Sequence, residues 1–188
     1  MTESIIFDTI LHVKSKRDEI RVGQGYDSHR FEPGRPLKLG GVVIPDAPGL
    51  KAHSDGDALI HAIVDALLGA TAKGDIGEHF PDTDPAYQNV DSATLLAQVV
   101  REIASEGWLI GNLDCTVICE KPKLRPHIPA IRARLAALLN CSIDQISVKG
   151  KTNEGMDATG AGEGLAAHVA ILLVRQAALG GSKPRTGV

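Results

Sequence analysis

Ala52-His53-Ser54-Asp55-Gly56-Asp57, continued by Ala58-Leu59-Ile60-His61-Ala62-Ile63-Val64-Asp65-Ala66-Leu67-Leu68, joins a polar loop to an amphipathic helix. Leu59, Ile60, Ile63, Val64, Leu67 and Leu68 recur at helical spacing and make a broad apolar stripe. The pattern predicts a helix over 57–73, with Ser54 or Asp55 as N-cap and Gly74 as the stop. His61 then lies in the first turns, on one face with Asp57 and Asp65. Asp65 is either a carboxylate that orients the His61 ring or a solvated helix charge.

Upstream, Ile20 to Tyr26 reads as a strand ending in Asp27-Ser28-His29. Side chains alternate along a strand, so Asp27 and His29 point to one face. Asp27, His29 and His61 together leave a fourth coordination position open, the ligand count of a catalytic zinc site. The plainer alternative puts Asp27 and His29 in a turn and His61 toward solvent. Pro36 to Ile44 reads as a second strand, with Gly40-Gly41 as a bulge or close backbone approach. Glu32-Pro33-Gly34-Arg35 is the expected hairpin loop.

Downstream, a Gly/Pro/Asp-rich loop over 74–87 precedes a helix over 92–106, capped by Asp91 or Ser92 and stopped by Gly107. A long strand follows over 109–119, then a helix from near Pro126 to near Asn140 and a short strand over 146–149. A loop over 153–164 leads to a final apolar strand over 165–175. Residues 1–19 form a weakly patterned extension in which Ile5 to Leu11 could be a short helix, and 177–188 are expected to be a disordered tail. With no repeat or linker inside 20–176, the order of elements predicts one α+β domain. Its expected form is two-layer, a mixed β-sheet with helices packed on one face.

The 188 residues are 43% hydrophobic but only 3% aromatic, so the core must be aliphatic. A net charge of -3 without any Lys/Arg block argues against a nucleic-acid partner. No apolar run reaches the length of a membrane span. Glu3, Asp8, Asp18 and Glu19 are unlike a transit peptide and no signal-peptide core precedes them, which leaves the cytoplasm as the expected location. Cys115, Cys119 and Cys141 fit neither a disulfide framework nor a zinc knuckle and are read as buried free thiols.

Polar residues that the secondary structure does not need collect in four loops. Beyond Asp27-Ser28-His29, the helix start at Ala52–Asp57 suits an anion, with His53 and Ser54 as added donors. Gly74-Asp75-Ile76-Gly77-Glu78-His79-Phe80-Pro81-Asp82-Thr83-Asp84 could recognise hydroxyls through fixed carboxylates, or be an acidic turn without function. Lys149-Gly150-Lys151-Thr152-Asn153-Glu154 offers a hard oxygen donor, Glu154, suited to magnesium bound jointly with phosphate.

Several runs, in one order, resemble the 2-C-methyl-D-erythritol 2,4-cyclodiphosphate synthase family. They are Gly23-Gln24-Gly25-Tyr26-Asp27-Ser28-His29, Ala52–Asp57 with His61, and Gly74-Asp75-Ile76-Gly77 with Phe80-Pro81-Asp82-Thr83-Asp84. Pro122-Lys123-Leu124 with Pro126-His127-Ile128, and Lys151-Thr152-Asn153-Glu154, complete the set. The resemblance covers about 21–176. It implies conversion of 4-diphosphocytidyl-2-C-methyl-D-erythritol 2-phosphate to the cyclic diphosphate with release of CMP, a step of the non-mevalonate isoprenoid pathway.

By that resemblance Asp27, His29 and His61 hold zinc, and Glu154 holds a second divalent ion, magnesium or manganese. His53, Ser54 and Thr152 would meet the phosphates, Asp75 and Gly77 the ribose, and Phe80 and Asp82 the methylerythritol. The loop around Pro122, Lys123 and Leu124 would wrap the cytosine, and Asn153 keeps a polar donor where some members have Thr. The resemblance also implies a homotrimer with active sites between subunits, and the strands over 113–119 and 165–174 are candidate contacts. Ala161 replaces an Arg common in the family, so no isoprenoid diphosphate is expected on the trimer axis. A zinc phosphohydrolase and a non-catalytic cytidine nucleotide binder are the competing readings; the intact Asp27, His29, His61 and Glu154 speak against the second.

Overall fold

The structure, a computed structural model, describes residues 19–175. The helix expected within 5–11 and the disorder expected over 177–188 lie outside the described residues. In chain order the elements are β1 (Glu19–Leu39), β2 (Val42–Leu50), α1 (Ala58–Ala70), α2 (Ile76–His79), α3 (Ser92–Ser105) and β3 (Leu109–Ile118). They continue with α4 (Ile128–Leu139), β4 (Ile146–Lys151), α5 (Asp157–Gly160) and β5 (Gly164–Arg175), with 3-10 turns at Pro85–Tyr87 and Ile143–Gln145. The strands make one sheet in the order β2-β1-β5-β3-β4. Only β3 and β4 run parallel, as the helical connection α4 between them requires; the other neighbours are antiparallel. The expected mixed-sheet α+β architecture is therefore present.

Period two divides β1 cleanly. Gly23 and Gly25 face α1 and are buried, whereas Ile20, Val22 and Tyr26 face away and are exposed. The two glycines let strand and helix touch backbone to backbone: a Cβ on Gly23 would lie 1.8 Å from the Ala66 carbonyl oxygen, and one on Gly25 1.9 Å from that of Ala62. Asp27 and His29 continue the same inward phase beside the next turn of α1. Leu59, Ile60, Ile63 and Leu67 of α1 pack with Leu96 and Ile103 of α3 and with Leu113 and Ile171 of the sheet in an aliphatic core. Among the described residues no helix is long and apolar enough to cross a membrane.

Some local expectations are corrected. The hairpin turn is Gly40-Gly41, where Leu39 pairs with Val42 and both glycines have positive φ (61° and 73°). A two-residue turn of that hand demands positive φ at both positions, so the glycines serve the turn and are not a bulge. The hairpin expected at Glu32-Pro33-Gly34-Arg35 is an irregularity within β1, between Glu32 and Pro36. The α1 cap is neither Ser54 nor Asp55 but the fully buried Asp57, which accepts the Ile60 N–H at 3.0 Å. The same carboxylate accepts the Gly40 and Gly41 N–H groups at 2.9 and 2.6 Å, tying the hairpin turn to the helix start. The helix ends at Ala70, before Gly74, and Ala72 already takes a left-handed φ of 58°. The loops expected over 74–87 and 153–164 contain the short helices α2 and α5.

Candidate metal centre and flanking cavities

Asp27 and His29 on β1 meet His61 on the second turn of α1. Asp27 Oδ2 lies 2.9 Å from His29 Nε2 and 2.9 Å from His61 Nδ1, and the two nitrogens are 3.4 Å apart. Donors 2.0–2.1 Å from a tetrahedral zinc ion are about 3.3 Å apart; the nitrogen pair matches that spacing, and the two carboxylate contacts, at hydrogen-bond length, would open by about 0.4 Å to admit the ion. The tautomer of His29 is set by its surroundings. Its Nδ1 is 2.8 Å from the Lys51 carbonyl oxygen, which can only accept, so Nδ1 carries a hydrogen and Nε2 faces the cluster. Burial pushes the Asp27 carboxyl up, but hydrogen bonds from His29 and His61 outweigh it and hold it well below the usual carboxylate range. For His29 burial pushes the pKa down, and the Asp27 hydrogen bond and charge reverse that and raise it.

The cluster opens into a cavity of about 420 Å³. His53, Ser54, Gly77, Phe80 and Asp82 all line it. The loop carrying His53 and Ser54 is pinned from below: Arg35 donates to the carbonyl oxygens of Ala52, at 2.8 Å, and of Ser54, and the His53 carbonyl accepts the Asn89 N–H at 2.8 Å. Phe80 is buried edge-on against Tyr87, ring centroids 5.4 Å apart. Asp75 caps α2 by accepting the Glu78 N–H at 3.0 Å and is exposed, outside the residues that line the cavity. Asp65 also reaches the cavity but does not orient His61: its Oδ1 accepts the Ile76 N–H at 2.8 Å and holds the α2 loop against α1.

The remaining expected residues lie elsewhere. Lys123, Leu124, Thr152 and Glu154 line a different cavity of about 790 Å³ between the 119–125 segment and the end of β4. Glu154 stands in a left-handed conformation (φ 51°), and its Oε1 accepts from the Thr152 hydroxyl. Glu120, which the sequence reading passed over, accepts the Asn153 N–H at 2.7 Å and so joins the 119–125 segment to the Thr152-Asn153-Glu154 loop. Within one chain, then, the zinc-type ligands and the Thr152–Glu154 loop occupy separate cavities. Cys115 and Cys119 are buried free thiols as expected, while Cys141 is only half-buried.

A family model described as the YgbB family matches residues 20–174, nearly the whole described chain. The chain belongs to the YgbB family. Curated relatives agree with the assignment. A 2-C-methyl-D-erythritol 2,4-cyclodiphosphate synthase of Alcanivorax borkumensis is 54% identical over 157 residues, 84% of this chain and 98% of that protein. One of Halalkalibacterium halodurans is 54% identical over 156 residues, 83% of this chain and 99% of that protein. Solved structures show the same YgbB fold. The bifunctional IspDF of Campylobacter jejuni superposes with a TM-score of 0.81 at 40% identity over 85% of this chain, which spans only 43% of that longer chain. A 2C-methyl-D-erythritol-2,4-cyclodiphosphate synthase in a CDP-bound form superposes with a TM-score of 0.75 at 41% identity, covering 81% of this chain and 99% of that one.

Proposed function

We propose that this YgbB-family protein is a phosphorus–oxygen lyase that converts 4-diphosphocytidyl-2-C-methyl-D-erythritol 2-phosphate to 2-C-methyl-D-erythritol 2,4-cyclodiphosphate and CMP. The observation that carries the reading is the Asp27–His29–His61 cluster, its three donor atoms gathered within 3.4 Å of one another beside a cavity that His53, Ser54, Phe80 and Asp82 also line. An oxygen of the 2-phosphate attacks the β-phosphorus of the same molecule, and the bond from that phosphorus to the oxygen bridging to the α-phosphorus breaks. CMP leaves with the bridging oxygen, and neither water nor a protein nucleophile takes part. The protein's work is alignment of the attacking oxygen with phosphorus, together with relief of phosphate repulsion. Zinc at Asp27, His29 and His61, with magnesium or manganese at Glu154, would supply the positive charge that a chain of net charge -3 lacks.

His53 and Ser54, fixed by Arg35, would hold the substrate phosphates, with Thr152 and Asn153 meeting the diphosphate from the other side. Asp75 and Gly77 would take the ribose, Phe80 and Asp82 the methylerythritol, and Pro122, Lys123 and Leu124 the cytosine. The division of these residues between separate cavities supports a homotrimer in which each active site joins the metal cluster of one subunit to the Thr152–Glu154 loop of a neighbour. The inward residues of β3 and β5 are consumed by the chain's own core, so the subunit contact falls to the helix-free face of the sheet. Val22 there is 71% exposed and Tyr26 50%. On this reading residues 20–176 are the synthase domain and the protein works in the cytoplasm.

The test is incubation of zinc-replete protein with the substrate and magnesium, with products read by phosphorus NMR and His61→Ala run beside it. Cyclic diphosphate and CMP, lost in the variant, are expected. No turnover by zinc-loaded protein would move the weight to a nucleotide binder.

A further inference from the structure

His61 presents Nδ1 to Asp27 and His29, and its other nitrogen points into the protein. Nε2 is 2.9 Å from the hydroxyl of Ser92, the first residue of α3, which is fully buried. The Ser92 hydroxyl is in turn hydrogen-bonded to Asp55 Oδ1, and Asp55 Oδ2 lies 3.0 Å from the Lys38 ammonium. The direction of every bond in this chain is forced from its far end. Lys38 can only donate, and an ionised carboxylate can only accept. Burial pushes the Asp55 carboxyl up, but the Ser92 and Lys38 hydrogen bonds prevail and hold it low. The hydroxyl proton of Ser92 is therefore committed to Asp55, and toward His61 the serine oxygen has only lone pairs to offer. Ser54 Oγ, 3.1 Å from the same nitrogen and already accepting the Gly56 N–H at 3.2 Å, can share the imidazole hydrogen as a second acceptor.

We propose that Lys38, Asp55 and Ser92 form a relay of positioning residues that keeps a hydrogen on His61 Nε2, so that Nδ1, the nitrogen facing Asp27 and His29, is the one presented to the metal ion. The inference rests on the zinc-site reading above. It gives His61 the outer partner that metal-bound histidines ordinarily have, with a serine interposed between ring and carboxylate. It also explains a buried serine and a half-buried Asp–Lys pair behind the cluster.

The test is zinc affinity, measured at fixed pH by competition with a chromophoric chelator, for the parent, Asp27→Ala, Ser92→Ala and Asp55→Asn. Ser92→Ala removes the acceptor from Nε2 and is expected to weaken zinc binding 10–100-fold, the range for such outer partners. Asp55→Asn is nearly isosteric and keeps the packing, but it reverses the relay. Lys38 claims the amide oxygen, the amide NH2 turns to Ser92, and the serine proton is driven toward Nε2, which favours the wrong tautomer. A loss of tenfold or more is expected there too, with the circular dichroism of the metal-free variant unchanged and its melting lowered only modestly by the lost Lys38 ion pair and Asp57 N–H contact. Zinc binding by the parent that Asp27→Ala abolishes but that Asp55→Asn alters by less than twofold would overturn the relay and leave the zinc site standing. A parent that binds no zinc would overturn both.

Discussion

Gly25→Ala should damage both stability and the metal site, although it adds only one methyl group and removes no polar contact. The new Cβ would sit 1.9 Å from the Ala62 carbonyl oxygen, 2.8 Å from the Ala62 carbonyl carbon and 2.9 Å from the Ala66 nitrogen. Carbon–oxygen contacts settle near 3.3 Å, so α1 must retreat from β1 by about 1.4 Å. The atoms in the way are helix backbone, which cannot rotate aside. Overpacking of this kind costs about 1–3 kcal/mol or more, and at the upper end Tm falls by about 6–12 °C for a domain of this size. The same retreat moves His61, the neighbour of Ala62, relative to Asp27 and His29, whereas metal sites tolerate about 0.2 Å. Zinc affinity should therefore fall by more than the stability loss accounts for. Gly69→Ala is the matched control on the same helix: Gly69 is exposed, and the nearest atom to an added Cβ is the Gln24 carbonyl oxygen at 3.9 Å. Helix propensity predicts about 1 kcal/mol of stabilisation there. Calorimetry and chelator competition on both variants decide the matter. A Gly25→Ala protein that melts within 2 °C of the parent and binds zinc equally well would refute the close-approach argument.

Other expectations follow from the same contacts. In the metal-free protein, the depressed Asp27 contributes stability that is present above its ordinary pKa of 3.8 and is lost as pH falls through its folded value. The raised His29 contributes stability that is fully present below 6.5 and is lost as pH rises through its folded value. The Tm advantage of the metal-free parent over metal-free His29→Asn should thus be largest between the ordinary Asp27 and His29 values and shrink as pH rises above 6.5 through the folded His29 value, whereas zinc should reverse the trend, since binding needs the neutral ring; an advantage that ignores pH would contradict this. Burial pushes the Cys115 thiol up to about 12 and the Cys119 thiol up to about 11, so at pH 8 a disulfide reagent should label the half-buried Cys141 first, and rapid native labelling of Cys115 would count against its place in the core. If neighbouring subunits share sites, His61→Ala and Glu154→Gln, each inactive alone, should regain part of the parent activity when dissociated and reassembled together; a mixture as inactive as its components would confine the site to one chain.

Much of the site could be read before the fold. Period two along Gly23-Gln24-Gly25-Tyr26-Asp27-Ser28-His29 and period 3.6 through His61 are local signals, and they survive folding because β1 and α1 are both long and packed on each other. What the sequence concealed were partners chosen in three dimensions. Asp65 has the right helical spacing to serve His61, yet it is spent on the Ile76 amide. Ser92 looked like a helix cap, and since Asp91 does the capping, its hydroxyl is free to reach His61 across α1 and α3. The sequence pattern offered Ser54 and Asp55 as the α1 cap, and only the fold shows that Asp57 takes that place and also receives the Gly40-Gly41 turn. Paired glycines suit a bulge and a turn alike, and the register of Leu39 against Val42 settles that choice for the turn.

The most direct measurement is the reaction run in water enriched in oxygen-18, with both products examined by mass spectrometry and phosphorus NMR. Attack by the substrate's own 2-phosphate predicts a cyclic diphosphate and CMP that carry no solvent oxygen. Solvent oxygen in either phosphorus product would show that water is the nucleophile and that the metal centre belongs to a hydrolase.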